Sequence, residues 1–214
     1  MFVAKRMTKN PVTVTPDTKV DEAAELMKKH HFRRLPVVEE GKLVGFLSDK
    51  DIMRVAPSPA TTLSRYEITS LLAKMCIKDV MIKDVISVSD EATIEEAALL
   101  MCEKKVGGLP VVSGVGAVVG VITETDIFKA LVDVMGVKEG KTRITLEVDD
   151  KVGVVKDIAS TFSEVGLNID SLVTCKEPSG KYEIVIRGEV PDANEIKGKL
   201  EAKGYNVIHT VKFG

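Results

Sequence analysis

The chain has no tryptophan, and aromatic residues fill only 4% of its 214 positions. Its cores must therefore be packed with Val, Ile, Leu, Ala and Met, and a hydrophobic share of 44% is ample for that. Cysteine is scarce. Cys76, Cys102 and Cys175 are far apart and odd in number, which excludes a disulfide framework and fits a reducing compartment. Histidine is equally scarce, and His30, His31 and His209 make no metal-ligand spacing. The net charge of −2 leaves no field of one sign to draw nucleic acid or an anionic membrane. Long apolar runs are missing as well. The stretch 109–123 is too short and too interrupted to span a bilayer, and residues 1–6 lack the apolar core of a signal peptide. These absences lead to the expectation of a cytoplasmic protein with neither nucleic-acid nor membrane partners. No Walker-type glycine loop and no Ser-His-Asp arrangement stands out, so nothing points to catalysis.

What is present is a duplication. Leu35-Pro36-Val37-Val38 returns as Leu109-Pro110-Val111-Val112, 74 positions on. Glu22-Ala23-Ala24-Glu25-Leu26-Met27 precedes the first copy and Glu96-Ala97-Ala98-Leu99-Leu100-Met101 the second. Gly45-Phe46-Leu47-Ser48-Asp49-Lys50-Asp51-Ile52 follows the first and Gly120-Val121-Ile122-Thr123-Glu124-Thr125-Asp126-Ile127 the second. An internal repeat fixes the architecture before any other signal, and this one is too long for a solenoid turn. Each copy reads as β-α-β-β-α. A short strand at 12–14 or 86–88 comes first. An amphipathic helix follows, with Val20, Ala23, Ala24 and Met27, or Ile94, Ala97, Ala98 and Met101, at helical spacing. Thr93 and Glu96 suit a capping box for the second of these helices. A hairpin (35–38 with 43–47, 109–112 with 118–122) and a closing helix from Asp51 or Asp126 complete each unit. The expected bounds are 1–56 and 76–137, with 57–75 between them: a Pro/Ser/Thr-rich linker at 57–62, then a helix over 65–74.

From 141 to 214 the order changes to β-α-β-β-α-β, the ferredoxin-like arrangement. Its strands are expected at 142–148, 168–175, 182–187 and 207–211, and its helices at 152–165 and 192–200, the latter capped by Asp192 with Glu195. The fold class is α/β (α+β): a pseudo-twofold pair of β-α-β-β-α units, then a smaller α+β domain.

The Leu-Pro-Val-Val strand, followed by Gly-apolar-apolar-Ser/Thr-x-x-Asp-Ile, resembles the CBS motif, twice. Asp150-Lys151-Val152-Gly153-Val154-Val155, followed by Val165-Gly166-Leu167-Asn168-Ile169, resembles the ACT domain, with Val152 where that family has proline. The whole arrangement, with Arg65-Tyr66-Glu67 between the copies, is similar to CBS–ACT regulatory proteins of the acetoin-utilisation type. The resemblance implies a non-catalytic sensor with no required cofactor. It would bind AMP, ADP, ATP or S-adenosylmethionine between the CBS motifs, and an amino acid where ACT domains associate. It also implies a homodimer acting on a regulated protein that the sequence does not name. Two rival readings remain: an accessory subunit of an acetoin or other carbon-metabolism enzyme, and an interaction module whose clefts are empty.

The chemistry of particular residues supports the nucleotide reading. At Ser48-x-x-Asp51 a strand runs into a helix, whose N-terminal N–H groups favour phosphate, while a carboxylate accepts from a ribose diol. Thr123, Thr125 and Asp126 offer the same groups in the second copy. Ser48 and Asp51 equally suit a plain helix cap. Arg33 and Arg34 precede a strand, and guanidinium forks bind phosphate in pairs. The second copy has Gly107 and Gly108 there, so the two clefts should differ, the arginine-bearing one preferring a charged phosphate chain. The alternative is one solvated basic face made of Lys28, Lys29, His30, His31, Arg33 and Arg34. By resemblance, Thr8, Asn10 and Val12, and Ile86 in the second copy, would flank the adenine, though Val12 and Ile86 also fit a plain core strand. In the ACT-like part, Asp150, Gly153 and Asn168 would hold an amino acid by resemblance, Gly153 allowing close backbone approach. The other reading of that part is a dimerisation domain.

Overall fold

The computed structural model of the chain describes residues 1–55, 64–137 and 140–212; the linker expected at 57–62 lies outside them. The chain divides into two compact units, Met1–Phe128 and Lys129–Gly214.

The duplication runs in chain order: β1 (Thr8–Lys9), α1 (Val20–His30), β2 (Arg34–Glu39), β3 (Lys42–Ser48) and α2 (Asp49–Val55), then α3 (Arg65–Leu72), then β4 (Val88–Ser89), α4 (Ile94–Lys104), β5 (Gly108–Val112), β6 (Val118–Thr123) and α5 (Glu124–Val134), of which the first unit holds all but the part of α5 from Lys129 on. The strand expected at 12–14 is reduced to an isolated bridge from Val14 to Val37, and Ile86 precedes its strand. The periodic positions pack as the repeat predicts. Val20 and Ile94, Ala23 and Ala97, Met27 and Met101, Leu35 and Leu109, Val37 and Val111, and Leu47 and Ile122 are all buried. Thr93 caps α4: Glu96 N–H donates to its Oγ1 at 3.2 Å, and its own N–H donates to the Glu96 carboxylate at 2.7 Å. That N–H, together with the Thr93 hydroxyl, holds the Glu96 carboxyl below the ordinary carboxylate range.

The two copies exchange their leading segments. Val3 N–H donates to Ala92 O and Ile94 N–H to Met1 O; reciprocally, Ile77 N–H donates to Thr18 O and Val20 N–H to Met75 O. β1 then pairs antiparallel with β6, Thr8 opposite Val121. In the other copy Ile82 bridges Phe46 of β3. The segments cross back after this, since Val14 bridges Val37 and β4 runs parallel to β5. The glycine of the repeated Gly-x-x-Ser/Thr element explains how the swapped segment approaches so closely. A Cβ on Gly120 would stand 2.3 Å from Met7 Sδ and 3.1 Å from Thr8 O, and one on Gly45 would stand 2.2 Å from Met81 Sδ. A methionine of each copy thus covers the glycine of the other. Gly120→Ala is expected to destabilise this unit by about 1–3 kcal/mol through overpacking against the Met7 side chain and the Thr8 carbonyl. Urea unfolding of the full-length variant checks it, and an unchanged midpoint would contradict it.

The second unit is ferredoxin-like: β7 (Thr142–Val148), α6 (Val154–Glu164), β8 (Ser171–Lys176), β9 (Tyr182–Gly188), α7 (Ala193–Ala202) and β10 (Asn206–Lys212) form an antiparallel sheet in the order β10-β7-β9-β8. Ile144, Leu146, Ile158, Phe162, Ile184, Ile186, Ile196 and Leu200 make its core. Asp192 caps α7 by accepting from Asn194 N–H and Glu195 N–H. Among the described residues no helix is long and apolar enough to cross a membrane.

Candidate functional site

Where the swapped first segment crosses from β6 back to its own copy, a cavity of about 560 Å3 opens in the first unit. It brings together eight of the residues singled out from sequence: Thr8, Asn10, Val12, Arg33, Arg34, Thr123, Thr125 and Asp126. Ser48, Asp51 and Ile86 are not part of it. The lining therefore mixes the copies. Thr8 and residues 10–12 and 30–34 come from the first, and Gly107, Val121 and residues 123–126 from the second. Two local backbone features shape it. Asn10 has φ 47°, a left-handed conformation that asparagine tolerates, and its N–H donates to Val119 O at 3.2 Å. His31 ends α1 with φ 56° and turns the chain so that Phe32, Arg33 and Arg34 follow into β2.

Asp126 stands in the first turn of α5. Its Oδ2 accepts from Thr123 N–H at 2.9 Å and from Thr123 Oγ1 at 2.7 Å. No other described residue bonds to this carboxylate, so Oδ1 keeps its accepting capacity. The equivalent Asp51 differs. Its Oδ2 accepts from Ser48 N–H at 2.9 Å and Ser48 Oγ at 2.5 Å, its Oδ1 faces Arg54 at 3.4 Å, and the residue is buried. Asp51 is a helix cap with both oxygens engaged.

Arg34 explains the glycines of the second copy. A Cβ on Gly107 would lie 2.5 Å from Arg34 Nη2, and one on Gly108 would lie 2.9 Å from its Cδ and Nε. Gly107 and Gly108 do not merely lack a guanidinium; they make room for the one supplied by the first copy. No described residue forms an ion pair with Arg34 or Arg33. At the pseudo-symmetric place Thr8 is replaced by Ile82 and Asn10 by Asp84, an acid that disfavours phosphate. The cavity is also lined by His30, His31, Phe32 and Glu124, none of which was assigned to it from sequence. His30 stacks on Phe32 with centroids 5.6 Å apart. The histidines belong to the basic run that also fits a solvated face, and no local pattern distinguishes the two roles.

In the second unit, Asp150 and Gly153 are exposed between β7 and α6, with Gly153 at φ 99°. Asn168 lies before β8 rather than in it, and its carbonyl oxygen is 2.5 Å from where a Gly188 Cβ would stand. Gly188 pairs with Thr142 at the start of β7, whereas Asp150 follows the end of that strand. The two are thus separated by the length of β7, roughly 20 Å. Within one chain, Asp150, Gly153 and Asn168 do not form one site. A recess of about 340 Å3 lies near the β7–α6 connection, but its charged groups are already paired: Lys181 with Glu147 at 2.7 Å, Lys151 with Asp149 at 3.0 Å, and Tyr205 OH with Asp157 at 2.9 Å.

Known proteins agree with this architecture. The family model of the CBS domain matches residues 3–58 and 77–133, and that of the ACT domain matches residues 142–204. Among curated relatives, inosine-5'-monophosphate dehydrogenase of Korarchaeum cryptofilum is 38% identical over 117 residues, 55% of this chain. The match covers only 21% of that enzyme's length. Among solved structures, CBSX2 in complex with AMP aligns at TM-score 0.51 and 31% identity, over 62% of this chain and 97% of that one. A candidate acetoin utilization protein (AcuB) from Vibrio cholerae aligns at TM-score 0.52 and 29% identity, over 64% and 93%. The chain belongs to the CBS-domain family, with two CBS domains followed by an ACT domain.

Proposed function

We propose that this chain is a non-catalytic regulator that binds one adenine nucleotide, in the cavity between its two CBS domains. The observation that carries this reading is the convergence of Arg33 and Arg34 with Thr123 and Asp126 in one cavity, although the two groups come from different copies. A nucleotide there has its ribose diol on Asp126 Oδ1, its phosphate on the arginines, and its base against Val12 and the backbone of 8–12. The AMP complex of CBSX2 supports this ligand class. The second cleft, with Asp51 engaged by Ser48 and Arg54, and Asp84 in place of Asn10, is proposed to bind nucleotide weakly or not at all. The domain bounds 1–56, 76–137 and 141–214 belong to the same reading. So does a homodimer: α5 leaves Phe128 and Leu131 more than half exposed, at adjacent turns of one helix. In such a dimer an ACT amino-acid site would take Asp150 and Gly153 from one copy and Asn168 from the other.

Calorimetric titration with AMP, ADP, ATP and S-adenosylmethionine tests the proposal. One phosphorylated ligand per chain is expected, with a matching rise in melting temperature. Arg34→Ala should weaken AMP about tenfold or more, through loss of a charge-assisted bond, and change adenosine much less. Equal weakening of both, or no binding of any adenine compound, would refute the assignment.

A further inference from the structure

Glu124 is the first residue of α5, and its carboxylate lies in the cavity beside the Arg34 guanidinium. The position of a Gly107 Cβ is 2.9 Å from Glu124 Oε2 and 2.5 Å from Arg34 Nη2. The two are neighbours but do not form an ion pair. A phosphate taken by Arg34 therefore arrives next to a second carboxylate, in addition to Asp126. The charged or chargeable groups that face this place are His30, His31, Arg33 and Arg34 on one side and Glu124 and Asp126 on the other. Of the groups with a permanent charge, the two arginines are balanced by the two acids. That balance leaves enough attraction for one phosphate, oriented by the guanidinium forks. It gives little to a chain carrying several more negative charges, because each added phosphate meets the Glu124 carboxylate, which is exposed and so repels through a solvent-screened field. Asp126 has a cap to form with Thr123, whereas no described residue makes a hydrogen bond or ion pair with the Glu124 side chain.

We propose that Glu124 is a specificity-determining residue that sets the pocket for a nucleoside monophosphate by disfavouring polyphosphates. The inference rests on the nucleotide reading above and deepens it. Wild-type protein is expected to bind ATP no more tightly than AMP, despite the greater charge of ATP. Glu124→Gln and Glu124→Ala both remove the charge, and each should raise ATP affinity about tenfold and AMP affinity about threefold or less, which reverses the order. The gain should shrink as salt is raised. Titration calorimetry of AMP, ADP and ATP reads these ratios, and the ligand-free melting temperature shows that each variant is folded. A wild-type protein that binds ATP far more tightly than AMP overturns the proposal without a variant. Equal gains for all three nucleotides, or no gain, overturn it and leave the nucleotide reading intact. Absence of binding by wild type and both variants removes that reading and this one with it.

Discussion

Asp126→Ala is expected to weaken AMP binding by about ten- to a hundredfold, whereas Asp51→Ala should leave it within about twofold. The two aspartates occupy the same place in the repeat, and the difference comes from what their oxygens already do. Asp126 caps α5 with one oxygen and holds the other ready. Asp51 has both engaged, by Ser48 and by Arg54. Hydrogen bonds to a carboxylate contribute about 1.5–3 kcal/mol each, so losing the ribose contact at Asp126 falls in the stated range. At Asp51 the loss is structural. Ser48 N–H and Oγ lose their acceptor, at a cost of about 1–2 kcal/mol for a helix cap. The Arg54 contact adds little, because Arg54 is 78% exposed. Both variants lose such a cap, since Thr123 N–H and Oγ1 bond to Asp126 as Ser48 does to Asp51, so both should lower the unfolding midpoint, and affinity alone separates them: it falls for Asp126→Ala and is unchanged for Asp51→Ala. A large loss of affinity on Asp51→Ala would place the nucleotide in the other cleft.

The duplication made most of the first unit legible. Helical spacing at Val20, Ala23 and Met27, and at Ile94, Ala97 and Met101, identified both buried faces, and the Leu-Pro-Val-Val runs identified both hairpins. The exchange of leading segments was not legible. β1 and β4 are two residues long, and so short a strand carries no pattern that tells which sheet edge it joins. What decides it is three-dimensional: Met7 over Gly120 and Met81 over Gly45. The same blindness affected the arginines. Aligning Arg33 and Arg34 with Gly107 and Gly108 looks like a loss in the second copy until the fold places Arg34 against those glycines. Glu124 escaped notice because a carboxylate in the first helical turn is ordinary dipole chemistry. In the ACT domain the element order was readable, but Asn168 and Asp150 are close only in sequence pattern, and the strand between them keeps them apart within one chain.

Arg187→Met should leave the ACT domain as stable as wild type or raise its stability, while Arg187→Ala should lower it by about 2–4 kcal/mol. Arg187 lies on β9 and is only 4% exposed. Its Nη1 donates to Met135 O at 2.9 Å, its buried Nε has no partner, and no carboxylate among the described residues pairs with it. Burial, and next the nearby Arg143, pull its pKa below the ordinary guanidinium value. Arg143 itself is held by Glu183 at 3.3 Å. A buried cation with one hydrogen bond is a poor source of stability, and an apolar side chain of similar volume removes the desolvation cost. Methionine fills the space, whereas alanine leaves a cavity. In both variants Met135 O retains Ser171 Oγ at 2.7 Å, so the carbonyl is not orphaned. The chain has no tryptophan, and two of its three tyrosines, Tyr182 and Tyr205, lie in this domain, so tyrosine fluorescence during urea unfolding of the full chain reports mainly on it. A Met variant that loses as much as the Ala variant would mean that the guanidinium contributes more through Met135 than its burial costs.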